Sequence, residues 1–243
     1  MAVMGKKVRL DKFLCESLNF SRKEAKEQLK KGKVTVNGQK ETKPESKVDV
    51  LADVILYEDR PLSFEEFHYL MLHKPAGVVS ATTDSREATV LDLIREPYKE
   101  RLFPVGRLDK DTEGLLLITD DGELAHKLLS PRKHVAKVYY ARVSGKIGED
   151  AVEAFRGGVS IGKGETAREA KLEILKADEE ESEVFITITE GKYHQVKRMV
   201  HSVGSCVLYL KRMSMGTLKL DENLPAGSYR PLTKEEIGEL KES

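Results

Sequence analysis

The sequence of 243 residues predicts an α+β protein with two domains. Two observations carry this prediction. The chain begins with a basic segment that is patterned as two short helices followed by a hairpin. Apolar, strand-like runs dominate the remainder, and short helices interrupt them without regular alternation of strand and helix. The second domain should therefore contain a mixed, largely antiparallel sheet rather than a doubly wound parallel one.

The first segment contains two predicted helices. Four apolar residues recur with the spacing of one helical face and predict a helix that ends near Asn19: Leu10, Phe13, Leu14 and Leu18. Ser21 and Glu24 have the spacing of a capping box, which predicts the start of a second helix through Ala25 and Leu29. Gly32 is placed to end that helix.

A hairpin should follow these helices. Val34 and Val36 alternate with polar residues, and Asn37-Gly38 is the strongest two-residue hairpin signal. A further strand around Val48 to Leu56 would complete a compact first domain at residues 1–57. The polar stretch 58–67, which includes Pro61, is predicted to be a linker. Residues 68–243 then form the larger domain.

The larger domain contains five apolar runs with strand character. They are YLMLH (69–73), GVVSA (77–81), GLLLITD (114–120), KVYYARV (137–143) and VFITITE (184–190). Between them, Glu123 to Leu129 predicts a short amphipathic helix that follows an Asp-Gly turn. The acidic run from Asp178 to Glu183 predicts a solvated hairpin loop between two strands.

Charge is unevenly distributed along the chain. The 41 basic residues cancel the 41 acidic residues, yet residues 1–47 hold thirteen Lys and Arg against six Asp and Glu. This net charge of +7 leaves −7 for the remainder, so the first domain is the basic one. A second basic stretch, with six Lys and Arg and no acid, lies between Glu190 and Asp221. Both regions would attract a phosphate backbone.

Several classes of protein are disfavoured by what the sequence lacks. Cys15 and Cys206 are too few for a disulfide framework, and no apolar run of about 18 residues or signal-peptide core is present. These features predict a cytoplasmic protein with no membrane association. The histidines match no zinc-site spacing, so no metal is expected. Glycine-rich nucleotide loops and the GxSxG nucleophile motif are also missing, and no cofactor is expected.

Two segments could carry chemistry. In GRLDKDTEGLLLITDDG (106–122), Arg107, Asp109 and Asp111 crowd the entrance to an apolar strand. In EGKYHQVKRMVHSVG (190–204), a predicted helix has an apolar face flanked by Lys197 and Arg198. Each segment has a plainer interpretation, as a surface turn with an ion pair and as a solvated basic helix face. The residues alone leave both interpretations open.

Together, these segments resemble the successive motifs of bacterial ribosomal RNA pseudouridine synthases. GRLDKDTEGL, SPRKHVAKVYY (130–140) and EGKYHQVKRM occur in the family's order, with KPAGVVSAT (74–82) and LPAGSYRPLTKEEI (224–237) as further similar segments. VRLDKFL, SRKEA and KGKVTVNG resemble the small RNA-binding domain named after the fourth small-subunit ribosomal protein. The resemblance covers nearly the whole chain. It implies an isomerase that converts uridine to pseudouridine without any cofactor.

The resemblance also implies roles for individual residues. Asp109 matches the family's catalytic aspartate in GRLD, and Asp111 should point to the opposite face if that segment is extended. Lys197 best matches the basic partner of the aspartate, with Arg198 as the second candidate. Tyr139 matches the tyrosine that lies against the target base. Arg107 resembles the arginine that enters the space left by the flipped nucleotide.

Recognition of RNA is assigned to the first domain. Its exposed basic side chains would attract phosphate groups irrespective of sequence. The candidates are Arg9, Lys12, Arg22, Lys23 and Lys26. The expected partner is ribosomal RNA or an assembly intermediate of the small ribosomal subunit.

Three alternatives remain beside this hypothesis. YHQVKRM and SPRKHVAKVY are similar to the family members that modify small-subunit RNA, but a large-subunit (23S) target is nearly compatible with the same motifs. A non-catalytic RNA-binding protein that assists ribosome assembly is the second alternative. A glycoside hydrolase is the third, although that chemistry usually needs two carboxylates at a defined separation. The sequence favours a small-subunit (16S) RNA pseudouridine synthase.

Overall fold

The computed structural model describes residues 6–242 of the chain. It forms two compact units, Met1–Phe67 and His68–Ser243, and each unit has hydrophobic core residues of its own. Within the described residues, every helix is too short or too polar to cross a membrane.

Among residues 6–67, the first unit has two helices and six short strands. In chain order they are β1 (Lys7–Arg9), α1 (Leu10–Leu18), α2 (Arg22–Lys30), β2 (Val34–Val36), β3 (Gln39–Lys40), β4 (Lys47–Asp49), β5 (Ile55–Tyr57) and β6 (Arg60–Pro61). Strands β1 and β4 form a two-stranded sheet, and the order β3-β2-β5-β6 forms a second sheet.

The predicted helices and hairpin of this unit are confirmed. Helix α1 ends at Asn19, which adopts the left-handed conformation, and α2 begins with the Ser21 and Glu24 capping box. Asn37 and Gly38 both have positive φ, as a tight hairpin turn requires. The apolar faces of α1 and α2 pack on Val34, Val48 and Ile55. This packing fixes the helix pair on the two small sheets.

The segment from Val48 to Leu56 differs from the single strand predicted for it. Its two ends belong to different sheets, because a turn stabilised by the Asp49 and Asp53 carboxylates separates β4 from β5. The expected linker at 58–67 also differs in part. Residues Arg60–Pro61 pair with β5, and Leu62 and Phe64 pack against the core of the first unit.

Over the described residues 68–242, the second unit contains one nine-stranded sheet and four α-helices. Its elements are β7 (Tyr69–Lys74), β8 (Phe103–Pro104), β9 (Glu113–Thr119), α3 (Gly122–Leu129), β10 (Lys137–Ser144), α4 (Glu149–Gly157), β11 (Lys171–Ala177), β12 (Glu181–Ile188), α5 (Gln195–Ser202), β13 (Val207–Met215), β14 (Leu218–Lys219), β15 (Tyr229–Pro231) and α6 (Lys234–Glu242). Short 3-10 helices occupy Val90–Leu93 and Lys99–Arg101.

The sheet is mixed and largely antiparallel, as predicted. Its main strand order is β11-β12-β10-β13-β9-β7-β15, with β14 on β13 and β8 on β9. Among the described strands, β9 and β13 form the only parallel pair. Strands β7 and β9 are buried at almost every position, and their apolar side chains pack on both faces of the sheet. Leu116 and Ile118 face the core beneath α4 and α5, whereas Leu115 and Leu117 face α3 and α6.

Two predictions for this unit are corrected by the structure. The run GVVSA at 77–81 is not a strand and contributes only an isolated bridge from Val79 to Thr89. Its backbone turns at Gly77, and the Ser80 hydroxyl bonds to Leu108 instead of extending a sheet. The predicted acidic loop is also shorter, because β12 begins at Glu181 and pairs with β10 and β11.

Gly114 allows β9 and β13 to approach closely just below the loop that carries Asp109. Its backbone has φ +105°, and a Cβ atom at this position would lie 2.3 Å from the carbonyl oxygen and 2.6 Å from the nitrogen of Arg212. Any other residue would therefore clash with backbone atoms that cannot move without separating the two strands. Glycine is required here by both conformation and space.

We predict that Gly114→Ala lowers the free energy of unfolding of the second unit by about 2–3 kcal/mol, because of strain and overpacking. Urea denaturation followed by circular dichroism measures this change. Gly157→Ala is the matched control, since a Cβ atom at the end of α4 would meet no atom within 4 Å. It should leave stability unchanged or raise it slightly. Equal losses in the two variants would contradict the role assigned to Gly114.

Candidate active site

A pocket in the second unit brings together the three residues predicted to be catalytic and Arg107. It lies where the loop before β9, the middle of β10 and the start of α5 meet. Its lining includes the side chains of Arg107, Asp109, Tyr139, His194 and Lys197. Residues from three separate motifs are therefore brought together at one place.

Asp109 lies at the start of a tight turn, not in an extended segment. The Thr112 amide donates to the Asp109 carbonyl at 3.1 Å and closes the turn. Just before it, the buried Ser80 hydroxyl accepts from the Leu108 amide at 3.0 Å and donates to the Leu108 carbonyl at 2.9 Å. These two bonds fix the backbone on the N-terminal side of Asp109. The carboxylate therefore projects from a backbone held on both sides.

Lys74, at the end of β7, supports the same turn from beneath. Its side chain is fully buried, and its ammonium group donates to the carbonyls of Pro75, Lys110 and Thr112 at 3.0, 3.2 and 2.8 Å. Burial lowers the pKa of Lys74 to about 8, although the nearby carboxylates of Asp111 and Asp109 oppose this shift. The amine holds together the two strand ends that frame the site.

Lys197 forms the central ion pair of the pocket. Its ammonium nitrogen lies 3.2 Å from Asp109 Oδ2 and 2.6 Å from Asp111 Oδ1. The expectation that Asp111 would point to the opposite face is wrong, because that expectation assumed an extended segment. In the turn, both carboxylates face the first turn of α5. Lys197 therefore bridges two carboxylates.

This bridge changes the titration of its members. Burial alone would lower the pKa of Lys197, but its hydrogen bonds to Asp111 and Asp109 outweigh burial and raise that pKa. The bond to Lys197 likewise lowers the pKa of Asp111, although burial opposes it. Lys197 is therefore a permanent cation at neutral pH, placed at the side of the pocket where Asp109 lies.

His194 is a member of the site that the sequence analysis considered only as an unlikely metal ligand. Its Nε2 atom lies 3.4 Å from Asp109 Oδ1, on the other carboxylate oxygen from Lys197. The residue adopts φ +47°, an uncommon conformation for a residue with a Cβ atom, immediately before α5. The only sequence signal was its position three residues before Lys197. The strained turn that aims it at Asp109 is visible only in the structure.

Tyr139 and Arg107 both line the pocket, one buried and the other exposed. Tyr139 is a buried residue of β10, flanked in the sheet by Ile186 of β12 and Arg212 of β13. Its side chain points to the core face and lines the pocket. Arg107 precedes the Asp109 turn and is exposed at the pocket mouth. An aromatic side chain and an exposed cation thus line the pocket that contains Asp109.

Arg198 does not reach the pocket. Its guanidinium donates to the carbonyls of Ile161, Gly162 and Tyr193 at 2.7, 3.0 and 3.1 Å and pairs with Glu165. Arg198 therefore ties the loop before β11 to the start of α5. Of the two candidates for the partner of Asp109, Lys197 makes the contact.

The candidate RNA-binding residues of the first unit lie on its surface. All five are exposed, and four of them lie on α1 and α2. Arg9 instead precedes α1, where its guanidinium makes two bonds to the Asp11 carboxylate at 2.7 and 3.0 Å. The exposed basic side chains of the helices are Lys12, Arg22, Lys23 and Lys26.

We predict that Lys74→Met lowers the free energy of unfolding of the second unit by roughly 2–4 kcal/mol, because it leaves buried carbonyls without a donor. Urea denaturation at pH 7 measures the loss. Folding lowers the pKa of Lys74 to about 8, so above this pH the folded protein binds fewer protons than the unfolded chain. The free energy of unfolding of the parent should therefore rise as the pH increases from about 8 towards the pKa of an ordinary lysine. Parent and variant should therefore diverge further in that range.

Lys110→Met is the control for this prediction. Lys110 belongs to the same turn, but its ammonium is half exposed and pairs with Glu87 at the surface. Its loss should cost about 0–1 kcal/mol. A Lys74 variant that is no less stable than the Lys110 variant would show that the buried ammonium does not hold the turn.

Comparisons with known proteins extend over both units. Residues 68–202 match the RNA pseudouridylate synthase family, and residues 8–55 match the S4 domain family. A crystal structure of a pseudouridylate synthase is 37% identical, covers 96% of this chain and 99% of its own, and superposes with a TM-score of 0.68. Both the fold and the order of the domains are thus shared with a known structure.

Curated relatives agree with this match. An uncharacterized RNA pseudouridine synthase of Bacillus subtilis is 47% identical and covers 97% of this chain and 99% of its own length. The ribosomal small subunit pseudouridine synthases A of Vibrio vulnificus and Escherichia coli are 43% and 39% identical, and each covers at least 95% of this chain and at least 98% of its own length. The chain therefore belongs to the RNA pseudouridylate synthase family, with an S4 domain preceding its synthase domain.

Proposed function

We propose that this protein converts a uridine of small-subunit ribosomal RNA to pseudouridine, with Asp109 as the catalytic carboxylate. The observation that carries the proposal is the ion pair between Asp109 and Lys197 at the side of a pocket that Tyr139 and Arg107 also line. A carboxylate in such a pocket can act on one nucleotide that has left its stack.

The reaction breaks the bond between uracil nitrogen 1 and the ribose and forms a bond between carbon 5 and the same ribose carbon. The proton lost from carbon 5 is balanced by one gained at nitrogen 1, so no oxidant or energy source is needed. A single carboxylate can serve as nucleophile or as base in this sequence. Both routes place Asp109 in contact with the reacting nucleotide.

Lys197 supports this chemistry by its charge. It lies 3.2 Å from Asp109 and remains protonated at neutral pH, because its pKa is raised. A fixed cation beside the reacting groups stabilises negative charge that develops on the detached base. Asp111 binds the same ammonium and holds it in place. Asp111 therefore acts as a positioning residue, and Asp109 contacts the substrate.

In this proposal, Tyr139 contacts the flipped base and Arg107 fills the space that the base leaves. The aromatic ring of Tyr139 offers a flat, apolar surface for the uracil and keeps water from that side of the base. Arg107 is exposed at the pocket mouth, where its side chain can enter the space that the flipped base leaves. Flipping costs a few kcal/mol, and an unpaired target lowers that cost.

The S4 domain supplies much of the affinity for RNA. Its basic excess lies within residues 1–47, and the exposed cations of α1 and α2 can neutralise phosphates irrespective of base sequence. The natural substrate is proposed to be ribosomal RNA, free or in an assembly intermediate of the small subunit, in the cytoplasm. Recognition and catalysis are then divided between two units of the chain.

The small-subunit target rests on relatives and on the sequence of one motif. Two relatives named for the small ribosomal subunit match over nearly the full chain, and the YHQVKRM segment supports the same assignment. The large-subunit alternative is tested by mapping pseudouridine in both ribosomal RNAs of a strain that lacks the gene. Loss of a single small-subunit site supports the proposal, whereas loss of a large-subunit site would refute it.

We predict that Asp109→Asn lowers the single-turnover rate of pseudouridine formation by at least about a thousandfold, because an amide cannot act as nucleophile or base. RNA affinity and thermal stability should change little, since asparagine keeps the size of the side chain. The assay uses a small-subunit RNA fragment that the parent protein converts.

Two variants serve as comparisons for Asp109→Asn. Glu87→Gln removes a surface carboxylate that pairs with Lys110, the residue after Asp109. This variant should retain the parent rate. Asp111→Asn removes one of the two carboxylates on Lys197 and should retain substantial turnover with a reduced rate. Near-parent activity of Asp109→Asn, or a dead Asp111→Asn beside an active Asp109→Asn, would overturn the assignment.

We predict that a fragment comprising residues 68–243 folds but binds RNA more weakly and with a shallower dependence on salt than the full chain. Each phosphate contact that is lost should reduce the slope of log affinity against log salt by about 0.7 for single-stranded RNA. Filter binding at several salt concentrations measures both quantities. A fragment with the affinity and salt slope of the full chain would contradict the division of labour between the units.

A further inference from the structure

An exposed aromatic stack adjoins the active site and has no part in the chemistry derived above. Tyr193 and His194 stack face to face, with ring centroids 3.8 Å apart and an angle of 16° between the planes. Tyr193 is 72% exposed, more than any other large apolar side chain among residues 6–242. Its ring therefore contributes almost nothing to the hydrophobic core.

The backbone that carries this stack is held by several polar contacts. Arg198 donates to the Tyr193 carbonyl at 3.1 Å. One residue earlier, the Lys192 amide donates to the Gln195 side chain at 2.9 Å, and that side chain is fixed in turn by the buried Glu190. His194 adopts its strained left-handed conformation within the same turn. The turn is thus rigidly built around a ring that remains in solvent.

The stack lies directly beside the reacting groups. One edge of the His194 ring faces Asp109, with 3.4 Å between Nε2 and Oδ1, and its flat side is covered by Tyr193. Lys192, one residue before the stack in sequence, lines the same pocket. The outer ring is therefore an exposed aromatic surface at the rim of the pocket, next in sequence to a cationic side chain.

This combination fits one ligand chemistry, an unpaired nucleobase in a phosphate backbone. Aromatic rings that stack on successive bases beside cations are the common means of holding single-stranded nucleic acid. Tyr139 already lies within the pocket, in the position to contact the target base. The outer ring is left for a neighbouring nucleotide, which loses its stacking contact with the target when the target flips.

We propose that Tyr193 is a binding platform that stacks on the unpaired base adjacent to the target uridine, with His194 as the support beneath the ring. This inference rests on the proposed function and adds a determinant of substrate choice to it. The site then reads two nucleotides, one inside the pocket and one on the rim, and requires that the neighbour be unpaired.

The test combines a protein variant with a modified RNA. The probe is the shortest ribosomal RNA fragment that the parent converts, prepared intact and with an abasic ribose on either side of the target uridine. Parent, Tyr193→Ala and Tyr193→Phe are compared by KM and by the single-turnover rate at saturating RNA. Thermal melting verifies that each variant is folded. The abasic RNA with the parent protein gives a result that does not depend on any variant.

The platform predicts three results. Tyr193→Ala raises KM about tenfold with intact RNA and leaves the saturated rate near that of the parent, in the range expected for loss of one stacked base. Tyr193→Phe behaves like the parent, because it keeps the aromatic face. One of the two abasic RNAs raises KM by a similar factor with the parent protein. With Tyr193→Ala, the same abasic RNA raises KM little further, because the variant has already lost the stacking contact.

Other results of the same experiment would overturn the platform. An unchanged KM for Tyr193→Ala, or independent effects of the variant and each abasic RNA that multiply fully, would overturn the platform. A loss confined to the saturated rate would also overturn it, since the ring would then act on the chemistry through His194. A parent protein that converts no ribosomal RNA would overturn the proposed function and the platform together, whereas an active parent with an unaffected variant overturns the platform alone.

Discussion

Lys74 carries its ammonium group into the interior of the second unit, and the geometry of the active site depends on where that group lies. The end of β7 and the turn before β9 would otherwise present several buried carbonyls with no donor between them. By donating to Pro75, Lys110 and Thr112, the amine joins these segments into one support. A buried lysine is costly to maintain, and burial accordingly lowers its pKa to about 8. The nearby carboxylates of Asp109 and Asp111 offset part of that cost, so the support and the catalytic group stabilise each other.

The charges of this protein are arranged so that a neutral chain can bind a polyanion. Basic residues accumulate in the S4 domain and between Glu190 and Asp221, whereas acidic residues are in excess elsewhere. Within the synthase domain, Lys197 is not available as a free surface cation, since Asp109 and Asp111 hold it. Much of the attraction for phosphate must therefore come from side chains outside the ion pair. The separation allows the ion pair to be fixed by local geometry while affinity is set by exposed residues.

Two residues with positive φ lie where the active site depends on the exact placement of a side chain or a strand. His194 and Gly114 both have positive φ, and each lies at a point where a side chain or a strand must be placed against another element. At Gly114 the reason is space, because the backbone of Arg212 occupies the position of a Cβ atom. At His194 the reason is orientation, because the left-handed residue directs its ring towards Asp109 as α5 begins. The surrounding hydrogen bonds of Gln195 and Arg198 hold that conformation.

The sequence by itself determined the elements whose signals are local. Helices α1, α2 and α3, the Asn37-Gly38 hairpin and the apolar strands β7 and β9 follow from capping residues, turn residues and apolar patterns that involve only near neighbours. The motifs also indicated Asp109, Tyr139 and Lys197, although not their distances. Tertiary structure alone decided the rest. The segment from Val48 to Leu56 is divided between two sheets, and GVVSA forms a turn whose Ser80 binds Leu108. Asp111 binds the same ammonium group as Asp109, and Arg198 binds backbone carbonyls outside the pocket. Each of these outcomes depends on contacts between residues far apart in the chain, where the packing of the whole unit decides the conformation.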